Sequence, residues 1–446
     1  MSNFDKGTAL LVAALTLGLA ACGGGSMAPR TAAVMQPNPN PPAADSPQSS
    51  VANNTSAADS FQAQGNGNAG AGNVSKASIR SALSIPAATP IWAHLMVWFG
   101  QSNHMNVGYD SADPNQVHKQ LDDMQSRGIQ GAIIDWYGTD SSQSHVNAAA
   151  STIMQDAQSR RGFQFAIMED AGGGPQLCVQ TPGCNVTDQV IADLNYVMDH
   201  YAQSPAYIQI KGHPALFFFG LEQYSVDWNK VRAKVKGKPA FIFRNAVGFQ
   251  YAQTDGGFSW VEINTADAND WGQSYLDSFY ATGMEHGKDA VVGSSYKGFN
   301  DTMSGWSTHR ILNQNCGQTW LATLDEIGKY YGNNAKLAGV QLVTWNDYEE
   351  GTEIESGIDN CVSVSASAAG NSVAWQIQGD EKTIDHYSVW SSSDGQNFHH
   401  IVDVKAGTHS ANVSSAHIHT GSGTKVYVQA VGKPSISNHM SAPVSF

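Results

Sequence analysis

The chain has 446 residues, too many for one ordinary domain but enough for a barrel with a small module beside it. It carries 38 acidic against 24 basic residues, a formal charge of −14, so it lacks the basic face that nucleic-acid binding needs. Its 11 Trp and 15 Tyr supply flat faces that suit sugar rings, although the same side chains also build ordinary cores.

Lys6 precedes an apolar run from Ala9 to Ala21, too short to span a bilayer as a mature helix, and the run reads as an export signal. Leu19-Ala20-Ala21-Cys22 resembles the lipobox of bacterial lipoproteins. The resemblance implies a signal peptide over 1–22, lipidation of Cys22 and a lipid-anchored place in the bacterial cell envelope, at the outer membrane; plain secretion is the alternative. Residues 23–85 are Ala, Ser, Gly, Asn, Gln and Pro with almost no large apolar residue, the composition of a disordered linker. Sixty such residues reach about 40–45 Å by the square-root rule.

From 86 to 360 apolar strand-like runs alternate with amphipathic helix-like ones. The expected strands are Trp92–Phe99, Gly131–Trp136, Phe163–Met168, Ala215–Phe219, Ala240–Arg244, Trp260–Ile263, Ala290–Ser294 and Gly339–Thr344. Helical patterns separate most of them, as at Val117–Arg127, Val146–Arg160, Asp188–Ala202, Ser274–His286 and Leu321–Tyr331. This is the pattern of an α/β fold, a (β/α)8 TIM barrel. A doubly wound sheet is the runner-up, but no Gly-rich phosphate loop follows the first strand.

A barrel gathers its chemistry at the C-terminal ends of its strands. Those ends supply Asp135, Trp136 and Tyr137, then Glu169, Arg244, Glu262 and Tyr296, with His94 and Trp98 in the first strand. The last strand runs from Gly339 into Trp345-Asn346-Asp347-Tyr348-Glu349-Glu350-Gly351, and five acids fall within the nine residues 347–355. Acids sharing a pocket repel, which raises the pKa of at least one and separates a proton donor from a carboxylate. Glycoside hydrolysis needs that division: one carboxyl protonates the leaving oxygen while the other acts as base on water or a sugar hydroxyl.

Tyr109-Asp110-Ser111-Ala112-Asp113-Pro114, Gly128-Ile129-Gln130-Gly131-Ala132 and Asp135-Trp136-Tyr137-Gly138 resemble the first two βα units of glycoside hydrolase family 99-like enzymes. The Trp345–Gly351 stretch is similar to the signature of both that family and family 71. Family 99 usually has Glu at the position of Asp347; family 71 has Asp followed by Tyr, as here, but typically Gly at the position of Glu349. The resemblance implies an endo-acting glycosidase of an α-linked polysaccharide, α-1,3-glucan first and α-mannan next. It also implies that Asp347 and Glu350 hold the catalytic positions, Glu350 assigned as acid and Asp347 as base, and that Glu169 contacts the sugar near them. His94, Trp98, Asp135, Trp136, Tyr137, Arg244, Glu262, Tyr296, Trp345 and Asn346 complete the expected substrate contacts. A non-catalytic glycan-binding lipoprotein on the same scaffold is the rival reading.

Setting Cys22 aside leaves four cysteines, an even number in an exported chain, which favours disulfides. Cys178 and Cys184 flank a turn-like loop and pair naturally; Cys316 and Cys361 then pair by elimination. There is no Cys-x-x-Cys and no His-Glu-x-x-His, so neither metal nor cofactor is expected. His417 and His419 alternate on one strand and read as a surface pair.

Over 361–446 the pattern changes to short alternating strands. Trp375, Tyr387 with Asp394-Gly395, and Tyr427 resemble a fibronectin type III module, a small immunoglobulin-like β-sandwich. The expected partners are a polysaccharide and, through the lipid alone, a membrane; the chain is expected to act as a monomer.

Overall fold

The computed structural model describes residues 74–332, 336–414 and 423–446. Cys22, with the rest of 1–73, and the His417–His419 pair lie outside these described residues.

Eight parallel strands form a closed barrel: β1 (Ile91–Leu95), β2 (Gly131–Trp136), β3 (Gln164–Asp170), β4 (His213–Phe219), β5 (Ala240–Arg244), β6 (Gly256–Phe258), β7 (Ala290–Tyr296) and β8 (Gly339–Val343). Each pairs with the next in sequence, and β8 returns to β1 through Ile91 opposite Val340. That closing pair excludes the doubly wound sheet. Helices α1 (Pro114–Ser126), α2 (Ser144–Ser159), α3 (Gly174–Gln180), α4 (Val186–His200), α5 (Trp228–Lys234), α6 (Gln273–Glu285) and α7 (Gln318–Tyr331) connect the strands. The first shows why the sequence starts them where it does. Asp113 accepts the Asn115 amide, and Pro114, with no N–H to satisfy, opens the first turn.

The sixth strand corrects the sequence expectation. It is Gly256–Phe258, and Trp260–Ile263 belongs to the loop that leaves it. A Cβ on Gly256 would come 2.1 Å from the Ala290 carbonyl oxygen, so the strand needs glycine there, and glycine carries no strand signal.

Register fixes which side chains enter the barrel, because paired residues of parallel strands face the same way and alternate along each strand. Trp136 pairs with Glu169 and Glu169 with Phe218, whose ring packs on Trp228 of α5, so this row faces the helices. The other row, which includes His94, Asp135, Asp170, Phe219 and Arg244, faces the interior.

Residues 74–85 belong to the folded unit, although the expected linker ran to 85. Val74 bridges Ser437, and Ile79 and Leu83 are buried against the barrel. Their apolar side chains are few, which is why composition hid them.

The C-terminal strands are β9 (Ser363–Ala369), β10 (Ser372–Gln378), β11 (Ile384–Ser392), β12 (His399–Lys405), β13 (Ser410–Asn412), β14 (Lys425–Gly432), β15 (His439–Met440) and β16 (Val444–Ser445). They form two antiparallel sheets, β9-β10-β13 and β12-β11-β14-β15, with β16 also on β14. Val373, Trp375, Tyr387, Val389 and Val428 fill their own core. The change of architecture near 361 is nevertheless no break in packing. Ile436 is buried within the barrel's core cluster, and the Trp320 indole N–H of α7 donates to the Pro434 carbonyl at 2.9 Å. Both expected disulfides form, Cys178–Cys184 and Cys316–Cys361, the second joining the start of α7 to the start of the C-terminal sheets. Among the described residues no helix is long and apolar enough to cross a membrane.

Candidate active site

The loop after β8 is strapped at both ends. The Trp345 amide donates to the His94 carbonyl at 2.7 Å, and the Ile354 and Glu355 amides donate back to the Trp345 carbonyl. Thr344 and Thr352 share a hydroxyl–hydroxyl bond of 2.8 Å. At the loop's centre Asp347 Oδ1 accepts the amides of Glu349 and Glu350 at 3.0 and 2.8 Å, while Oδ2 makes no hydrogen bond within the protein. The Glu350 carbonyl accepts the Asn300 amide at 2.6 Å, which ties the loop to the one that follows β7. Gly351 sits at φ +62, and a Cβ there would strike the Asn300 backbone, so the sharp turn after Glu350 requires glycine.

Four buried carboxyl groups converge here: Asp135, Asp170, Asp347 and Glu350. Burial, then the charge of Glu350, pushes Asp347 well above the usual carboxylate range. Burial, then Asp170, does the same to Asp135. Burial takes Asp170 up to about 8, against the pull of the Gly172 amide and Arg244. Such a cluster cannot ionise completely and holds protons at neutral pH.

Aromatic and cationic groups surround the acids. Trp98 stacks on His104, and Tyr137 meets Trp98 edge-on and donates to Asp135 Oδ2 at 3.4 Å. Arg244 lies over the Phe219 ring and donates to Glu222. Burial holds the His94 imidazole down to about 3, so it is neutral; neither ring nitrogen has a hydrogen-bond partner, and the ring edge meets Trp260 at 4.7 Å. Beyond Arg244, Glu262, Asn264, Asp270 and Tyr275 line a cleft of about 340 Å³.

Of the residues expected at the site, the structure thus gathers Asp347, Glu350, Asp135, Tyr137, Trp98, His94 and Arg244, with Glu262 on the adjoining cleft. Others lie elsewhere. Trp136 is on the outward row, donating to Asn147 of α2 and stacking on Tyr196 of α4. Glu169 shares that row and lies against Asp193 of α4; its inward neighbour Asp170 takes the place expected of it. Trp345 is fully buried over the Arg127 guanidinium. Asn346 is spent on Met96, whose amide and carbonyl it bonds at 2.9 and 3.0 Å. Tyr296 faces inward, but its hydroxyl donates to the Trp271 carbonyl. Three other acids of the motif are structural. Glu349 accepts the Met105 amide and pairs with His104, Glu353 pairs with Lys297, and Glu355 accepts from Tyr109, Gln120 and Tyr348. Sequence reasoning missed Asp170, Phe219 and Trp260, and the strict alternation of strand side chains was the signal that could have found the first two. Among the described residues no group of His, Cys, Asp and Glu has the arrangement of a metal site.

No family profile and no curated protein sequence matches the chain. Among solved structures it is similar to the GH99 endo-α-mannosidase from Bacteroides thetaiotaomicron in complex with bis-tris-propane. That likeness has 18% identity and a TM-score of 0.44 and covers 60% of this chain and 88% of the other. A second structure of the same enzyme gives 17%, 0.43, 59% and 87%. The pectate lyase Pel3 from Pectobacterium carotovorum gives 12%, 0.15, 19% and 26%. At these values the barrel rests on this chain's own strand pairing.

Proposed function

We propose that this chain is a glycoside hydrolase that cleaves an α-linked polysaccharide in an endo fashion, with Asp347 and Glu350 as its catalytic carboxyls. The observation that carries the reading is the pair's setting: two buried acids on one strapped loop at the C-terminal mouth of the barrel, one of them oriented by two amide bonds. Two backbone amides hold Asp347 Oδ1 in place and leave Oδ2 without a protein partner, so Asp347 is read as the base and Glu350 as the acid. Glu350 then protonates the leaving glycosidic oxygen, and Asp347 takes a proton from water or a sugar hydroxyl. Trp98 and Tyr137 border the acids and are read as the aromatic contacts to the sugar. Glu349 and Glu353 hold neighbouring loops through His104, Met105 and Lys297.

The Trp345–Gly351 motif makes α-1,3-glucan the first substrate to test and α-mannan the second. The C-terminal sandwich is read as fibronectin type III-like, and the protein as a monomer held at the cell surface through Cys22. Incubation of the purified chain with α-1,3-glucan, yeast α-mannan and other α-glucans tests the proposal. Release of oligosaccharides is the expected result. Monosaccharide alone contradicts endo action, and binding without any product favours a non-catalytic glycan receptor.

A further inference from the structure

Asp135, Asp170 and Asp347 share one arrangement. In each, one carboxyl oxygen is engaged by the protein: Asp135 Oδ2 by the Tyr137 hydroxyl at 3.4 Å, Asp170 Oδ1 by the Gly172 amide at 2.5 Å, and Asp347 Oδ1 by the Glu349 and Glu350 amides. The other oxygen in each is buried with no hydrogen-bond partner in the protein. Each residue is 1% exposed. Asp135 and Asp170 project from neighbouring strands on the interior row, Asp170 lying two residues beyond Met168, the register partner of Asp135. Arg244 draws Asp170 down but shares its charge with Glu222, so the strand-end cations neutralise the group only in part. Arg244 is paired with Glu222, Lys297 with Glu353 and Arg310 with Asp301.

A sugar hydroxyl offers one donor to such a group, and a carboxylate or sulfate offers none while adding charge of the wrong sign. A primary ammonium offers three donors and one positive charge, one donor for each carboxyl oxygen that lacks a protein partner. Charge-assisted hydrogen bonds are roughly twice as strong as neutral ones, and a buried carboxylate is tolerated once it is paired. We infer that the sugar unit seated on Asp135, Asp170 and Asp347 carries a free amino group, so that the substrate class includes α-linked glycans containing unacetylated hexosamine. The inference rests on the glycosidase reading only for the presence of a sugar there. Because the cluster holds protons when empty, seating an ammonium ionises it and releases protons to solvent.

Calorimetric titration of the full chain at pH 7 with glucosamine and galactosamine, against glucose, galactose and the N-acetyl forms, tests this without requiring turnover. The amines are expected to bind at least tenfold tighter than their neutral counterparts. Their heats should vary with the ionisation enthalpy of the buffer, by an amount that reports about one proton released. Asp170→Asn, or Asp135→Asn should the first not fold, should remove most of the tenfold difference between amine and neutral sugar, and the proton release with it. Equal affinity for amine and neutral sugar, or amine binding without proton release, overturns the inference. A chain that hydrolyses neutral α-glycans but shows no amine preference keeps the glycosidase reading and loses this one. A chain that binds amines with proton release but cleaves nothing does the reverse.

Discussion

Arg127 lies beneath Trp345, its guanidinium carbon 4.8 Å from the ring centroid, and joins the first helix to the acid loop. The same guanidinium donates to the carbonyls of Ile354 and Glu355 at 2.7 and 2.8 Å and pairs with Asp123 at 2.5 Å. Asp123 in turn accepts from Lys76, so the segment that enters the fold at Val74 reaches the acid loop through two ion pairs.

Removing this cation leaves two buried carbonyls without their donor and Asp123 with Lys76 as its remaining cation. Arg127→Leu should therefore destabilise the chain by about 3–5 kcal/mol, the usual result of breaking a buried pair from one side. Arg127→Lys should rescue little, since an ammonium cannot span the fork of four contacts. Denaturant unfolding measures both, and a loss below about 1 kcal/mol for the leucine variant would contradict the assignment.

The C-terminal sheets should not be separable from the barrel. Ile436 is fully buried in the barrel core, so Ile436→Ala should cost about 2–5 kcal/mol. Truncation after 361 should expose that surface and yield an insoluble or poorly cooperative barrel. A soluble truncated chain that melts like the full one would refute this.

Glu355 gives a pH dependence with a definite sign. Burial pushes its carboxyl up to about 7, against the hydrogen bonds from Gln120, Tyr109 and Tyr348, whereas the unfolded chain titrates near the ordinary value of about 4.3. Between those values the folded state holds a proton that the unfolded state has lost. The contribution is thus full below about 4.3 and falls away as pH rises through 7, by a few kcal/mol at most. Asp135, Asp170 and Asp347 act in the same direction. The melting temperature should fall from pH 5 to pH 8, and less so in Glu355→Gln. Identical slopes for the two proteins would remove Glu355 from the account.

Much of this was legible in the sequence where the chain is apolar and periodic. Strands such as Ala240–Arg244 read directly as buried runs, and the acid loop announced itself by placing carboxylates at a strand's end. The sixth strand did not, because its Gly256 and Gly257 are demanded by close packing against Ala290 and Phe249 rather than by strand propensity. At the site, composition could say that Trp136, Glu169, Trp345 and Asn346 stand near the mouth, but not which way they face. Facing is set by register with the neighbouring strand, a tertiary property. It turns Glu169 toward Asp193 of α4 and Asp170 toward Asp135.

The most direct test of the central claim is kcat for Asp347→Asn and Glu350→Gln on whichever α-glycan the wild-type chain cleaves. General acid–base catalysis contributes about 10²–10⁴-fold, so each variant should lose at least that range in kcat with little change in binding. The two losses should not add, because both groups serve one transition state. Glu349→Gln and Glu353→Gln, which loosen the pairs with His104 and Lys297, should lose far less. Hydrolysis at near wild-type rate by both Asp347→Asn and Glu350→Gln would contradict the assignment of these carboxyls and the mechanism built on them.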